Sequence, residues 1–386
     1  MSDHLAETTA ESTATVRIRA GEGRLDYPVL VGPGLLAELS RLLRAHAPAY
    51  RYGIIADTTV AGLYGRRVME ELAASDVTAQ LLTFPPGEQS KSRETWADLT
   101  DALLGAGVGR DGALIALGGG VTGDLAGFVA ATFLRGVPIV QLPTSLVAMM
   151  DSAVGGKTGV DVPAGKNLVG AFHPPRLVVA DTATIATLPP SERAQGLVEA
   201  VKHGAIADAA YLQRLEEDLP ELLEGEPEAT TAAVLRSVEI KAHVVSKDER
   251  EAGLREILNF GHTLGHALEA ASDYGLPHGT AVAMGMVLEA RLGEALGVTA
   301  PGTSARLERI VARLGLPTQP FPALSREGVL AFVRSDKKAR KGRARCVLLE
   351  RIGGVAGGAR WSRELPDDAV GAVLDVWFGG GSAWRT

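Results

Sequence analysis

Between residues 51 and 181 short apolar runs recur with helical stretches between them, and no other feature constrains the fold as strongly. RYGIIAD, TAQLLTFP, GALIAL, PIVQLP and LVVAD carry the strand signal. VMEELAA, KSRETWADLTDALLGAG and GDLAGFVAATFLRG have helical spacing. Apolar strands alternating with helices predict a parallel sheet covered on both faces, a Rossmann-like α/β domain. TVRIRA and YPVLVG predict an opening hairpin. Ligands of such sheets sit beyond the carboxyl ends of the strands.

The pattern changes at Pro189-Pro190. From Ser191 the chain reads as helices: ERAQGLVEAVKHGAIADAAYLQRLEEDL, TTAAVLRSVEIKAHVVS, a histidine-rich segment and AVAMGMVLEARLGEALG. Strand returns briefly at RCVLLERIGGV, and DDAVGAVLDVW predicts a last helix. The expected organisation is a disordered tail over 1–14, an α/β dinucleotide-binding domain over 15–189, and a mostly α-helical metal- and substrate-binding domain over 190–386. The cleft between two such domains is the default ligand site.

Composition narrows the function. A chain of 386 residues, 46% hydrophobic, has room for two cored domains. No apolar run approaches the roughly 18 residues that span a bilayer, so no membrane partner is expected. The net charge of −7 argues against nucleic acid. The exception, RSDKKARKGRARC at 334–346, reads as a solvated basic loop. One cysteine, Cys346, excludes an intrachain disulfide framework and suits a reducing cytoplasm. It lies in CVLLE, read as a buried strand, where a thiol packs as a small hydrophobe.

Two motifs carry chemistry. LIALGGGVTGD places Gly118, Gly120 and Gly123 as G-x-G-x-x-G after a strand and before a helix. Glycines let a backbone approach a pyrophosphate, and the helix start favours its charge. The plainer alternative is a tight strand-to-helix turn. The usual acid about 20 residues further on is missing, although Asp57 ends an earlier strand. The second motif is REILNFGHTLGHALEAASDYGLPHG, with three of the chain's eight histidines. His262 and His266, four apart, share a helix face, a spacing that can hold zinc. His278 begins the next helix and can turn back to the same point. Glu199, in an apolar helix, is a candidate further ligand, with Lys202 three residues on along the same face. A carboxylate with imidazoles leaves a coordination position open. The plainer reading, that these histidines cap or pack helices, suits a lone histidine better than three within 17 residues.

GGGVTGDLAGFVAATFLRG, LPTSLVAMMDSAVGGKTGVD, GKNLVGAFHPP, EAVKHG, DEREAGLREILNFGHTLGHALE and HGTAVAMGM together resemble the 3-dehydroquinate synthase family. The resemblance implies an NAD-dependent metalloenzyme, with Zn2+ or Co2+, that converts 3-deoxy-arabino-heptulosonate 7-phosphate into 3-dehydroquinate and phosphate. It implies transient oxidation, phosphate elimination, re-reduction and intramolecular aldol closure, a small anionic sugar phosphate as substrate, and a homodimer. By motif position the metal ligands are Glu199, His262 and His278, with His266 beside the metal. Helix spacing alone pairs His262 with His266, so here resemblance and spacing differ, and we follow the resemblance. Lys157, Lys202, Lys241, Asn259 and His266 take catalytic positions. Asp151, Asn167 and Arg255 line the substrate pocket. Arg135 and one of Lys337 or Lys338 meet the phosphate. The NAD site takes Asp57, Glu88, Lys91, Gly119, Gly120, Val121, Asp124, Thr144, Ser145, Lys166, and Thr184, Thr187 and Leu188 of ATIATLP. Ser145, Asp161 and His203 depart from the family pattern, which commonly has threonine, asparagine and tyrosine there. Ser145 keeps a hydroxyl, and the other two flank the motif residues without replacing them.

Two relatives of this reading differ in reaction. A cyclase acting on sedoheptulose 7-phosphate shares fold, metal and NAD, but its substrate lacks the carboxylate that a crowd of cations would grip. A metal-dependent polyol dehydrogenase would bind a neutral alcohol and release NADH. A scaffold without catalysis does not need both motifs.

Overall fold

The computed structural model describes residues 7–8, 13–21, 25–339, 345–358 and 360–379, which form two compact units. The first comprises residues 1–189 with 225–249, and the second 190–224 with 250–386.

An eight-stranded sheet organises the first unit. Its strands are β1 (Glu7–Thr8), β2 (Ala14–Ala20), β3 (Leu25–Gly32), β4 (Tyr52–Asp57), β5 (Ala79–Phe84), β6 (Ala113–Gly118), β7 (Ile139–Pro143) and, after the β8–β9 hairpin described below, β10 (Leu177–Asp181). Their order is β1-β2-β3-β10-β7-β6-β4-β5. From β3 to β5 every pairing is parallel; β2 pairs antiparallel with β3, in the expected hairpin. Every residue of β6 is buried, as a strand covered on both faces requires. Ile54, Ala56, Ile115 and Leu117 face one core with Leu39, Leu43, Val68 and Leu72. Ile55, Leu114 and Ala116 face the other, with Leu103, Leu125 and Val129. The period of two in a strand thus splits each continuous apolar run between two cores.

Two features of this unit differ from expectation. Residues 1–14 are not wholly a disordered tail: Glu7–Thr8 pairs with Ala14 and Thr15, and the other residues up to Glu11 and Ser12 lie outside the described ones. GKTGVDVPAGKNLVGAF forms a hairpin of β8 (Lys157–Val162) and β9 (Gly165–Phe172), which the glycine-rich composition concealed.

Helix α1 (Gly120–Thr132) follows β6. The chain enters the second unit at Pro190 with α2 (Pro190–Ala207), which ends where the Asp208 carboxylate accepts the Tyr211 N–H at 3.0 Å and starts a new helix. That cap breaks a stretch whose apolar period reads as continuous. The chain then returns to the first unit as α3 (Pro227–Lys247), so this helix, expected in the second domain, belongs to the first. Its buried face, with Val234, Val238, Lys241 and Val245, packs on β2 and β3.

The second unit holds α4 (His262–Ala271) and α5 (His278–Ala295), which pack on each other, and α4 also packs on the Arg326–Ala339 helix. Its core gathers Leu264, Leu268, Met284, Leu288, Leu292, Val329, Leu330, Leu374 and Trp377. Cys346 is buried in the Arg345–Val347 strand, and burial pushes its thiol well up. The basic stretch from Arg334 is helical through Ala339 instead of a loop; residues 340–344 lie outside the described ones. Among the described residues no helix is long and apolar enough to cross a membrane.

Candidate active site

In the first unit, β4 leads outward to β5, while β6 returns to the other side of β4 and leads to β7. This reversal opens a crevice at the carboxyl ends of β4 and β6. Asp57 stands at the first end and Gly118 at the second. Asp57 Oδ1 accepts the N–H groups of Thr59 and Val60 at 2.9 and 3.0 Å, which fixes its side chain at the strand end.

The turn after β6 is built for close approach. A Cβ on Gly118 would stand 2.4 Å from Thr122 Oγ1. One on Gly120 would stand 3.2 Å from Ser152 Oγ, and one on Gly119 3.4 Å from Ser145 Oγ. Gly119 caps α1 with no side chain, so the N–H groups of Gly120 and Val121 at the helix start have no cap of their own. An uncapped start on a helix of 13 residues, floored by glycine, fits a pyrophosphate. Gly123 packs against Gln141, whose amide donates to its carbonyl at 3.2 Å. Thr144 donates its backbone N–H to Gly118 O at 2.9 Å, bringing the end of β7 to the same turn.

Lys91 is buried beside this turn and donates to Asp124 Oδ2 at 2.8 Å, with Glu88 Oε1 at 3.8 Å. Burial lowers its pKa, but the charges of Asp124 and Glu88 outweigh that and hold the ammonium above its ordinary range. Lys166 Nζ lies 4.0 Å from Glu88 Oε1. Tyr64 links the last segment, donating to Thr184 O at 3.0 Å and lying 2.6 Å from Thr187 Oγ1. The Thr184 hydroxyl itself is buried and donates to Asp181 O, so it is turned inward; Leu188 follows that turn.

Lys241 of α3 donates to Asp151 Oδ1 at 2.5 Å and to its carbonyl at 2.7 Å. Asp151 sits in a π-helical turn, Ala148–Ser152, a distortion frequent at functional sites. Lys157 opens β8. Asn167 on β9 has φ +56° and gives its N–H to Asp161 Oδ1 at 2.8 Å, so Asp161 serves that turn. Arg135 is exposed on a turn where both it and Leu134 have positive φ, 70° and 51°.

The second unit gathers its titratable groups more tightly. Glu199 and Lys202 of α2 are both buried, with the ammonium against Glu199 Oε2. Nε2 of His262 and Nε2 of His278 each lie 3.9 Å from Glu199 Oε1. Their other nitrogens face internal acceptors. His262 Nδ1 is 3.2 Å from Phe260 O, and His278 Nδ1 is 3.3 Å from Glu269 Oε2. Each ring therefore presents its Nε2 lone pair when Nδ1 carries the proton. Burial, with the nearby Lys202, holds the pKa of His262 well below the usual value, which keeps a neutral ligand. Desolvation lowers that of His278 too, but the hydrogen bond and charge of Glu269 outweigh it and raise it.

Ligands about 2.1 Å from a tetrahedral ion stand roughly 3.4 Å apart, so spans of 3.9 Å need only small side-chain adjustments. Two imidazoles and a carboxylate fit Zn2+ or Co2+. His266 is mostly exposed, its ring centroid 5.4 Å from that of His262, and its Nε2 is 4.0 Å from Glu269 Oε2. His266, Glu269 and His278 also lie close enough together to hold an ion, and within that group His278 Nδ1 is already within hydrogen-bond distance of Glu269. Arg255 is buried and Asn259 half-buried on the 3-10 turn before α4, where the Asn259 amide faces Glu251. Lys337 and Lys338 lie on the Arg326–Ala339 helix, with side chains outside the described residues. Glu269 was missed in the sequence; a buried acid three residues after His266 on an apolar helix was its only trace.

In fold the chain resembles solved sugar-phosphate cyclases. A 2-deoxy-scyllo-inosose synthase structure, complexed with carbaglucose-6-phosphate, NAD+ and Co2+, is 25% identical with a TM-score of 0.84, covering 93% of this chain and 99% of that one. The 2-epi-5-epi-valiolone synthase of Streptomyces hygroscopicus subsp. jinggangensis 5008, with NAD+ and Zn2+ bound, is 30% identical with a TM-score of 0.83, covering 92% and 97%. The sequence models "3-dehydroquinate synthase N-terminal" and "3-dehydroquinate synthase C-terminal" match residues 81–195 and 196–339. The 3-dehydroquinate synthase of Symbiobacterium thermophilum is 47% identical over 337 residues, 87% of this chain and 94% of that protein. The chain belongs to the 3-dehydroquinate synthase family and is an enzyme that forms 3-dehydroquinate.

Proposed function

We propose that the chain converts 3-deoxy-arabino-heptulosonate 7-phosphate into 3-dehydroquinate and phosphate, with NAD and Zn2+ or Co2+ as cofactors, and works as a homodimer. One observation carries the metal half of this reading: two imidazole Nε2 atoms converge at 3.9 Å on one carboxylate oxygen while each Nδ1 faces an internal acceptor. Glu199, His262 and His278 hold the ion. Gly119, Gly120 and Val121 receive the dinucleotide pyrophosphate. Asp57 is placed for the ribose hydroxyls, and Lys91 with Asp124, Glu88, Lys166, Thr144, Ser145, Thr184, Thr187 and Leu188 closes the pocket. When bound, the ion supplies Lewis acidity and NAD a reversible hydride acceptor.

The remaining steps belong to the chain's own groups. Lys241, Asp151 and Asn167 in the first unit and Arg255 in the second are the substrate-binding groups; a guanidinium can grip a carboxylate in a bidentate way. Arg135 grips the phosphate together with Lys337 or Lys338. Its exposed, positive-φ turn supports presentation of the guanidinium across a dimer interface. Lys157 and Lys202 stabilise negative charge on substrate oxygens. His266, exposed beside the two proposed ligand histidines, moves protons between substrate and water, and Asn259 hydrogen-bonds the substrate.

Purified protein mixed with the heptulosonate phosphate, NAD and Zn2+ should release phosphate and yield 3-dehydroquinate without accumulating NADH. Stoichiometric NADH would instead identify a dehydrogenase. Glu199→Gln and His278→Ala should each lose metal and turnover while keeping the far-ultraviolet circular dichroism of the folded chain. Full activity in both would refute the ligand set.

A further inference from the structure

The three ligand side chains stand on three helices, so their geometry is only as good as the helix packing. Two side chains outside the ligand set control that packing. Gln195 stands one turn before Glu199 on α2. Its Nε2 donates to Thr280 Oγ1 at 2.7 Å and its Oε1 accepts the Thr280 N–H at 2.6 Å, two residues after His278. A Cβ on Gly279 would come within 2.5 Å of Gln195 O, so the two backbones are already in contact there. Glu289 is fully buried on α5. Its Oε2 accepts the N–H of Gly261 at 2.8 Å and its Oε1 the N–H of Leu264 at 3.1 Å. These donors flank His262 at the start of α4, where Gly261 has φ +81° and supplies no capping side chain. Four residues before Glu289, Gly285 lets α5 lie against Gly261 and Gly265.

Resting on the metal reading above, we infer that Gln195 and Glu289 are positioning residues that preset the metal centre. Gln195 locks Glu199 to His278, and Glu289 locks His278 to His262. Each tie is two-pronged, so it fixes an orientation as well as a distance. In both, a side chain satisfies backbone N–H groups in the first turn of the helix it grips, which otherwise have no partner. Neither residue belongs to the proposed ligand set.

Gln195→Met removes both hydrogen bonds at nearly constant volume. Glu289→Leu removes both acceptor oxygens. Co2+ binding to the purified full chain is read by competition with a chelator and by the visible absorption of bound Co2+. Each variant should bind Co2+ about 10- to 100-fold more weakly, with shifted and weaker visible bands, while the metal-free melting temperature changes little in Gln195→Met. Gln195→Glu, which keeps the acceptor for the Thr280 N–H, should recover part of the affinity lost in Gln195→Met. Wild-type affinity and an unchanged spectrum in both variants overturn the inference. If Glu289→Leu does not fold, Gln195→Met decides alone. A wild-type chain that fails to bind Co2+ sinks the metal reading itself, a different outcome from bound metal with indifferent variants.

Discussion

Gly285→Ala tests how tightly the centre depends on helix packing. An added Cβ would stand 1.9 Å from Gly261 O and 2.7 Å from Gly265 N, both backbone atoms that no rotamer change can move. A tolerable C···O contact is about 3.3 Å, so α4 and α5 must part by roughly 1.4 Å at this point. Overpacking of this kind costs about 1–3 kcal/mol. Against it stands the gain of about 1 kcal/mol from replacing glycine in a helix, so the net loss should be up to about 2 kcal/mol in stability. The loss at the metal should be larger, because His262 stands beside Gly261 on one helix while His278 stands on the other. A displacement of about 1 Å in a site can cost on the order of 100-fold in rate. The assay pairs thermal unfolding of the metal-free chain with steady-state phosphate release in saturating Zn2+. Gly105→Ala is the control, since a Cβ there meets nothing within 4 Å and lies near the end of the Arg93–Gly105 helix. It should hold or slightly raise stability without touching turnover. If Gly285→Ala behaves like the control in both measurements, the helices do not govern the centre as argued.

Arg255→Ala should raise the KM for the heptulosonate phosphate at least tenfold while Zn2+ content stays at the wild-type level, measured by kinetics and metal analysis on one sample. Lys91→Met leaves the Asp124 carboxylate without its 2.8 Å partner. Breaking a buried pair costs about 3–5 kcal/mol, and the partial exposure of Asp124 should reduce this to about 2 kcal/mol in chemical unfolding. NAD affinity, followed by fluorescence titration, should fall with it. Burial pushes the Glu289 carboxyl up to about 8, against the pull of the Gly261 and Leu264 N–H groups. A raised folded pKa means the folded chain binds the extra proton. Stability from this group is therefore complete below about 4.5 and drains away as pH rises through about 8. Metal-free Glu289→Gln should lose less stability between pH 5 and 8 than the wild type, and parallel curves would contradict the assignment.

What the sequence disclosed, and what it hid, divides by the range of the interaction. The apolar runs foretold β4, β6, β7 and β10 because a strand buried on both faces must be apolar along its whole length, whereas β5, at the sheet edge, is only partly buried. The glycine turn was readable because strand, turn and helix start lie within eleven residues, LIALGGGVTGD. The centre was half readable. The four-residue spacing brings the rings of His262 and His266 to 5.4 Å, as helix geometry dictates, yet His278 comes as near, at 5.5 Å, from another helix. Spacing within one helix cannot weigh a neighbour that arrives after a loop. The return of α3 to the first unit was hidden for the same reason: its buried face tells that it packs, and not on what. Gln195, Glu269 and Glu289 left no usable pattern. The partners of Gln195 and Glu289 lie 85, 28 and 25 residues away in the chain. A glutamate or glutamine in an amphipathic helix reads as a solvated face until the neighbouring helix is placed. The ligands of such a centre follow from chemistry, which restricts them to a few residue types. The groups that hold the ligands still can be any polar side chain long enough to reach a helix start, so only packing reveals them. Substitutions at Gln195 and Glu289 should therefore be felt at the metal even though neither residue is a ligand.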